Sequence, residues 1–93
     1  NNPEHLYFAC SKEDAEEYLE HGLYPGDRNM VHLSSTRLNA LEAGRHIIGK
    51  PIVLLVDVRS AEDGGNEIMK AGTTVYLSKE ISGKHLKQLP DST

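Results

Sequence analysis

The stretch of this chain best equipped for chemistry is Arg28-Asn29-Met30-Val31-His32-Leu33-Ser34. It opens with a guanidinium that stays charged at any working pH. It then alternates, with Val31 and Leu33 on one face of an expected strand and His32 and Ser34 on the other. Two proton-handling side chains side by side on an otherwise apolar strand can floor a small site. The same pattern also describes a solvated loop charge followed by the wet face of an edge strand.

Other reactive residue types give weaker patterns. Five histidines stand at positions 5, 21, 32, 46 and 85, with no H-x-x-x-H pair, and Cys10 has no second cysteine. That spacing predicts no metal site. Cys10 could be a nucleophile with His32 as its base if their strands are neighbours; otherwise it is inert packing in an apolar strand. Glu62-Asp63 lies beside Gly64-Gly65 and reads as an exposed loop. There is no G-x-G-x-x-G and no Walker glycine loop, so the standard nucleotide motifs are absent.

The charge balance narrows the partners. Net charge is -4, unevenly spread. Residues 1–27 hold seven acids (Glu4, Glu13, Asp14, Glu16, Glu17, Glu20, Asp27) and one base, Lys12; residues 28–93 hold nine bases and seven acids. This balance argues against non-specific nucleic-acid binding, which rests on many Lys and Arg contacts to phosphate. It leaves room for a local anionic-ligand site in the later part. Ninety-three residues suit one small domain, and with no Trp and one Phe the core must be aliphatic. No run approaches the ~18 apolar residues of a membrane span. A lone cysteine allows no internal disulfide, which fits a reducing compartment such as the cytoplasm. The chain does not begin with Met, as expected of a piece of a longer one.

The elements that must position these residues follow in order. His5 to Cys10 reads as a first, buried strand. Ser11 with Asp14 three residues on forms a helix start signal; Ala15, Tyr18 and Leu19 make the inward stripe, and Gly22 stops the helix. Pro25-Gly26 turns the chain into a strand from about Met30 to Leu33. Ser35 or Thr36 caps a second helix, with Leu38, Leu41, Gly44 or Arg45, and Ile48 at helical spacing, ended by Gly49-Lys50-Pro51. Ile52 to Val56 is a continuous apolar run, expected at the centre of the sheet. Asp57 to Asn66 reads as a loop, Glu67 to Lys70 as a short strand, and Thr73 to Leu77 as a clear one. Ile81, Leu86 and Leu89 could pack as a last strand or turn. The order predicts an α+β domain with a split or curved mixed sheet and two helices in its N-terminal half.

Taken together, Leu6-Tyr7, Ser11, the helix, Gly22-Leu23, Pro25, Arg28, Val31-His32-Leu33-Ser34, Ala40-Leu41, Gly44-Arg45, Lys50-Pro51-Ile52-Val53-Leu54 and Val75-Tyr76-Leu77 resemble the C-terminal lobe of the RNA 2'-phosphotransferases, the KptA family. The resemblance runs from about residue 5 to residue 86. It implies the ADP-ribosyltransferase fold and NAD as co-substrate. In that family an RNA 2'-phosphate attacks the nicotinamide ribose, nicotinamide leaves, and rearrangement releases ADP-ribose 1'',2''-cyclic phosphate and an RNA 2'-hydroxyl. Carried over, Arg28 is a phosphate clamp. His32, at the second position of the fold's three-part signature, acts in catalysis and lines the NAD pocket with Leu33 and Ser34, and Val75 takes the third position.

Two departures from the family pattern bear on function. The first signature position, usually His-Gly-Thr on the first strand, is Phe8-Ala9-Cys10. Phe8 cannot hydrogen-bond the NAD ribose, and Ala9 adds a methyl where backbone would approach the ligand, so NAD binding is expected to be altered, weakened or lost. The family's N-terminal winged-helix lobe, with its RNA-binding residues, is expected to be absent from these residues. Three readings follow: an NAD-dependent transferase domain acting on RNA 2'-phosphate or another acceptor, in a smaller toxin-like variant an RNA or protein; a degenerate, non-catalytic module of the same fold binding a nucleotide or protein partner; or an unrelated small α+β domain.

Overall fold

The computed structural model describes residues 2–26, 29–45 and 50–90. The expected clamp Arg28 and the helical continuation at Ile48 lie outside them. In chain order the elements are β1 (His5–Cys10), α1 (Lys12–His21), β2 (Val31–Ser34), α2 (Arg37–Ala43), β3 (Ile52–Asp57), α3 (Val58–Asp63), β4 (Ile68–Lys70), β5 (Val75–Ser78), a 3-10 turn (Gly83–His85) and β6 (Leu86–Gln88). The six strands form one sheet in the order β4-β5-β2-β1-β3-β6.

Local signals account for most helix ends. The Ser11 hydroxyl accepts from the Asp14 N–H at 3.1 Å, and the Gly22 N–H closes α1 on the Tyr18 carbonyl. Thr36 caps α2 in the same way through the Asn39 N–H.

The register explains how the sheet is divided. β1 pairs with β3 along its whole length, from His5 opposite Asp57 to Cys10 opposite Ile52. β2 pairs with β5 along its whole length, from Val31 opposite Ser78 to Ser34 opposite Val75. Between these blocks, β1 and β2 share a single pair, Tyr7 with Ser34. Continued two residues further, the ladder would set Ala9 beside His32; instead the strands part there. The sheet is therefore two three-stranded halves hinged at one residue pair.

Alternation sorts the side chains onto two faces. Leu6, Cys10, Val31, Leu33, Leu54, Val56, Tyr76 and Leu86 form the main core, closed by Ala15 from α1, by Val58 and Ala61 from α3, and by Ile81. On the opposite face α2 covers β1, with Ala40 buried, as is Val53.

Several expectations need correction. The sheet is not mixed: every strand pair among the described residues is antiparallel. The apolar run of β3 is not central; it lies one strand in from the β6 edge, and β1 and β2 take the middle. Its residues are apolar on both sides because helices lie over both faces there, α1 and α3 on one and α2 on the other. The expected loop after Asp57 begins with a third helix. The Asp57 carboxylate accepts from the Ser60 N–H at 3.1 Å, and Val58 and Ala61 turn inward three residues apart. Helix α2 ends at Ala43 with Gly44 as its cap, and Leu38 faces solvent at 67% exposure.

Two glycines let the end of α1 touch the 3-10 turn. Leu23 and Ile81 exchange backbone hydrogen bonds at 2.8 and 3.0 Å. A Cβ on Gly22, whose φ is +92°, would stand 2.5 Å from the Ile81 carbonyl oxygen; one on Gly83 would stand 2.5 Å from that of Leu19. The same turn carries buried His85, which shares a 2.7 Å hydrogen bond with the Ser60 hydroxyl of α3.

Two outcomes are expected from this packing. Gly22→Ala combines a left-handed φ with a backbone clash and should destabilise by roughly 1–3 kcal/mol, a fall in Tm of roughly 5–20 °C by calorimetry. An unchanged Tm would mean that this contact does not hold in solution. Cys10 is buried, and burial, with Asp14 nearby, pushes its thiol up to about 12. Almost no thiolate exists at neutral pH. Iodoacetamide at pH 8 should leave the native chain unlabelled and alkylate it fully in denaturant; rapid native labelling would place the thiol at the surface.

Candidate functional site

Where β1 and β2 part, the sheet opens into a cleft of ≈ 290 Å³. Beyond the Tyr7–Ser34 pair, the main-chain groups on the facing edges of the two strands have no ladder partner across the gap. Phe8 and Ala9 line it from β1, and Val31, His32 and Ser34 line it from β2. The small residues Ala40, Ala43 and Gly44 at the end of α2 form a third side and leave it roomy.

The remaining side is aromatic. Phe8, Tyr18 and Tyr24 all line the cleft. Phe8 and Tyr18 meet edge to face, centroids 5.7 Å apart at 83°; Tyr18 and Tyr24 repeat the arrangement at 5.5 Å and 75°. The Tyr24 hydroxyl donates to Glu17 Oε2 at 2.6 Å, and this bond pushes the phenol up to about 12. Tyr24 is 44% exposed, so the hydrogen bond, more than packing, fixes its ring.

His32 is the proton-handling group of the cleft. Its ring is exposed, while Val31 and Leu33 on either side anchor the strand in the core. Nδ1 lies 3.2 Å from the Met30 carbonyl oxygen. A carbonyl only accepts, so this contact needs a proton on Nδ1, and in the neutral tautomer that fits it Nε2 is the acceptor. The Ser34 hydroxyl makes no hydrogen bond to the described residues and lies on the same strand face as His32. None of the lining residues is Lys, Arg, Asp or Glu.

The residues singled out from the sequence thus divide. Phe8, Ala9, His32 and Ser34 come together in one cleft. The side chains of Cys10 and Leu33 do not reach it; both lie in the core, 4% and 1% exposed. Cys10 is accordingly no nucleophile for His32. Val75 sits opposite Ser34 in the register, one strand away from the lining residues. Sequence reasoning missed the Tyr18–Tyr24 wall and the small-residue end of α2. Tyr18 reads as ordinary inward stripe, and only the way α1 and the following turn fold back beside Phe8 gives the wall its meaning.

Comparison with known proteins places the chain in a family. The sequence profile of the RNA 2'-phosphotransferase, Tpt1 / KptA family matches residues 1–80. A probable RNA 2'-phosphotransferase of Thermoplasma acidophilum is 34% identical over 94% of this chain and 37% of its own length. Proteins of the same name from Archaeoglobus fulgidus and Agrobacterium fabrum are each 36% identical, over 89% and 98% of this chain and 38% and 48% of their own. The chain spans between about a third and a half of the curated relatives it matches. With most of its length inside the family profile, this chain belongs to the RNA 2'-phosphotransferase (Tpt1/KptA) family.

Proposed function

We propose that this chain is an ADP-ribosyltransferase-like domain that holds NAD in the cleft between β1 and β2 and serves transfer from it to an RNA 2'-phosphate. One observation carries the reading: the two strands part beside Phe8-Ala9 and His32-Ser34, the stretches that the family resemblance assigns to the first and second signature positions.

The residues fit such a ligand in three respects. The cleft, at ≈ 290 Å³, is near the low end of small-molecule sites, a size for the nucleoside half of a dinucleotide. Unpaired strand edges offer backbone donors and acceptors, and the aromatic wall offers a surface for a flat ring. NAD supplies an electrophilic ribose carbon with nicotinamide as leaving group. The chain's part is positioning and charge compensation. His32 Nε2 accepts a hydrogen bond from a ribose hydroxyl, and Ser34 donates or accepts beside it. Arg28, two residues before Met30 in the chain, clamps a phosphate. Contacts to RNA fall to parts of the longer relatives that these residues do not include.

A second reading is favoured by Phe8 and Ala9 themselves. Both line the cleft where the family pattern has His-Gly, and Phe8 offers no hydrogen bond there. On that reading the cleft binds a nucleotide or a protein partner without turning NAD over.

NAD at about ten times its Kd should stabilise the chain by about 1.4 kcal/mol, a Tm rise of roughly 6–11 °C. Nicotinamide release should then depend on 2'-phosphorylated RNA. Release without a thermal shift is not expected, and the lack of both would end the dinucleotide reading; a shift without release selects the binding module. His32→Ala should weaken NAD roughly three- to tenfold, one hydrogen bond's worth, with stability within about 0.5 kcal/mol of the parent. Global unfolding would instead mark His32 as structural. Phe8→His should tighten NAD by a similar factor, and no change would remove Phe8 from the ribose position.

A further inference from the structure

The pair Ser60 and His85 lies away from the cleft, and the function proposed above makes no use of it. His85 ends the 3-10 turn with 6% of its surface exposed, and its Nδ1 lies 2.7 Å from the Ser60 hydroxyl oxygen of α3. A buried imidazole needs such a partner, whereas an aliphatic side chain would fill the same place with no polar group to satisfy. We infer that His85 is a positioning residue of the cleft: through the 3-10 turn it fixes the end of α1, and with it the Tyr18 and Tyr24 rings.

The turn is held on one side by α3 and its exit. Ser60 holds His85, and the Asn66 side-chain oxygen accepts from the Ser82 N–H at 3.4 Å. The His85 N–H closes the turn on the Ser82 carbonyl at 3.0 Å. The imidazole has little room to move: a Cβ on Gly64, the cap of α3, would stand 3.0 Å from its Nε2. On its other side the turn meets α1. Gly83 lies so close that a Cβ there would stand 2.5 Å from the Leu19 carbonyl oxygen, and Ile81 exchanges two backbone hydrogen bonds with Leu23. Tyr24 follows Leu23 directly, and Tyr18 supplies the carbonyl on which Gly22 closes α1. Both tyrosines line the cleft, and their rings meet edge to face.

The contacts therefore run unbroken from Ser60 through His85, the turn and Leu23 to Tyr24. Apolar burial is not directional, but a hydrogen bond is. Ser60 thus sets where the turn stands against α1, beyond keeping it buried. His85 touches no lining residue through any of these bonds, so it acts on the cleft only through the end of α1. A chain of packed groups becomes coupling when a change at one end moves the other.

Aromatic NMR of the 93-residue chain, free of ligand, tests this. Ring centroids 5.5 Å apart should give the parent a Tyr18–Tyr24 ring-to-ring NOE. Ser60→Ala removes the hydrogen bond and almost no volume. Gly64→Ala, at an ordinary φ of -83°, presses on the imidazole instead. Both should weaken that NOE and shift the ring protons of the two tyrosines. His85→Leu should do the same, while His85→Asn, whose amide can stand in for Nδ1 opposite Ser60, should keep most of it. Ile68→Val thins the core at the β4 edge and serves as the control; it should lower Tm and leave the NOE intact. Unmoved rings in Ser60→Ala and Gly64→Ala, or equal movement in Ile68→Val, overturn the role and leave His85 a core residue. Where the parent binds NAD, its Kd should rise roughly threefold in Ser60→Ala, toward the low end of coupling through packed side chains, and stay put in Ile68→Val. Equal Kd changes in the two variants also overturn the role. A parent that binds no NAD ends the dinucleotide reading alone, because the ring contacts decide the place of His85 without a ligand.

Discussion

Two strands occupy the middle of this sheet and share one residue pair. Tyr7 opposite Ser34 is the only ladder contact between β1 and β2 among the described residues, and the division of the molecule follows from it. A strand pair normally gains by continuing, because each further residue satisfies backbone groups that are costly to leave unmade. Here each strand has a complete partner on its outer side instead, β3 for β1 and β5 for β2. The halves are therefore stable enough to part in the middle. The parting leaves polar backbone and two strand ends facing one space. A ligand site at the centre of a sheet, where a compact domain would otherwise be most tightly packed, needs that arrangement.

The surrounding core keeps the parting from closing. Leu6 and Cys10 on β1 and Val31 and Leu33 on β2 are buried on the same face, against α1 and α3. They fix the tilt of each strand by packing rather than by hydrogen bonds. On the other face α2 meets the gap with Ala40, Ala43 and Gly44, side chains too small to fill it. The glycines at 22 and 83 draw the end of α1 onto the 3-10 turn, which sets where Tyr18 and Tyr24 stand beside Phe8. Few residues are surplus in a chain of this size, and the same contacts that hold the fold also shape the cleft.

Much of this was legible along the chain, and what was not has a common cause. β1, the cap of α1 at Ser11, its stop at Gly22 and the alternation of Val31-His32-Leu33-Ser34 depend on neighbours a few residues apart, and those readings match the structure. The third helix was not legible because it has only Val58 and Ala61 to turn inward, and Gly64-Gly65 just beyond it reads as loop. The place of β3 differs from the expected one because a doubly apolar strand signals cover on both faces, which helices on either side supply without a central position. Period two puts His32 and Ser34 on one strand face, as the structure does, but by itself leaves that face open between a site and a solvated edge. The aromatic wall was not, since it joins residues of β1, α1 and the following turn through packing that no local pattern encodes.

Phe8 is where the family pattern and this chain differ most, and the structure changes what the difference means. Judged by lost hydrogen bonding, a phenylalanine in place of histidine only weakens a ribose contact, by an amount worth about 0.5–1.5 kcal/mol. Judged by its neighbours, it lengthens a run of rings that ends at a carboxylate-held tyrosine. The substitution therefore exchanges a polar group at the strand edge for an apolar ring packed against Tyr18 in the cleft wall. On the proposed reading the same exchange separates the enzyme from the binding module, because a hydrogen bond aimed at the reacting sugar serves the transition state and an apolar ring face serves only the bound ligand.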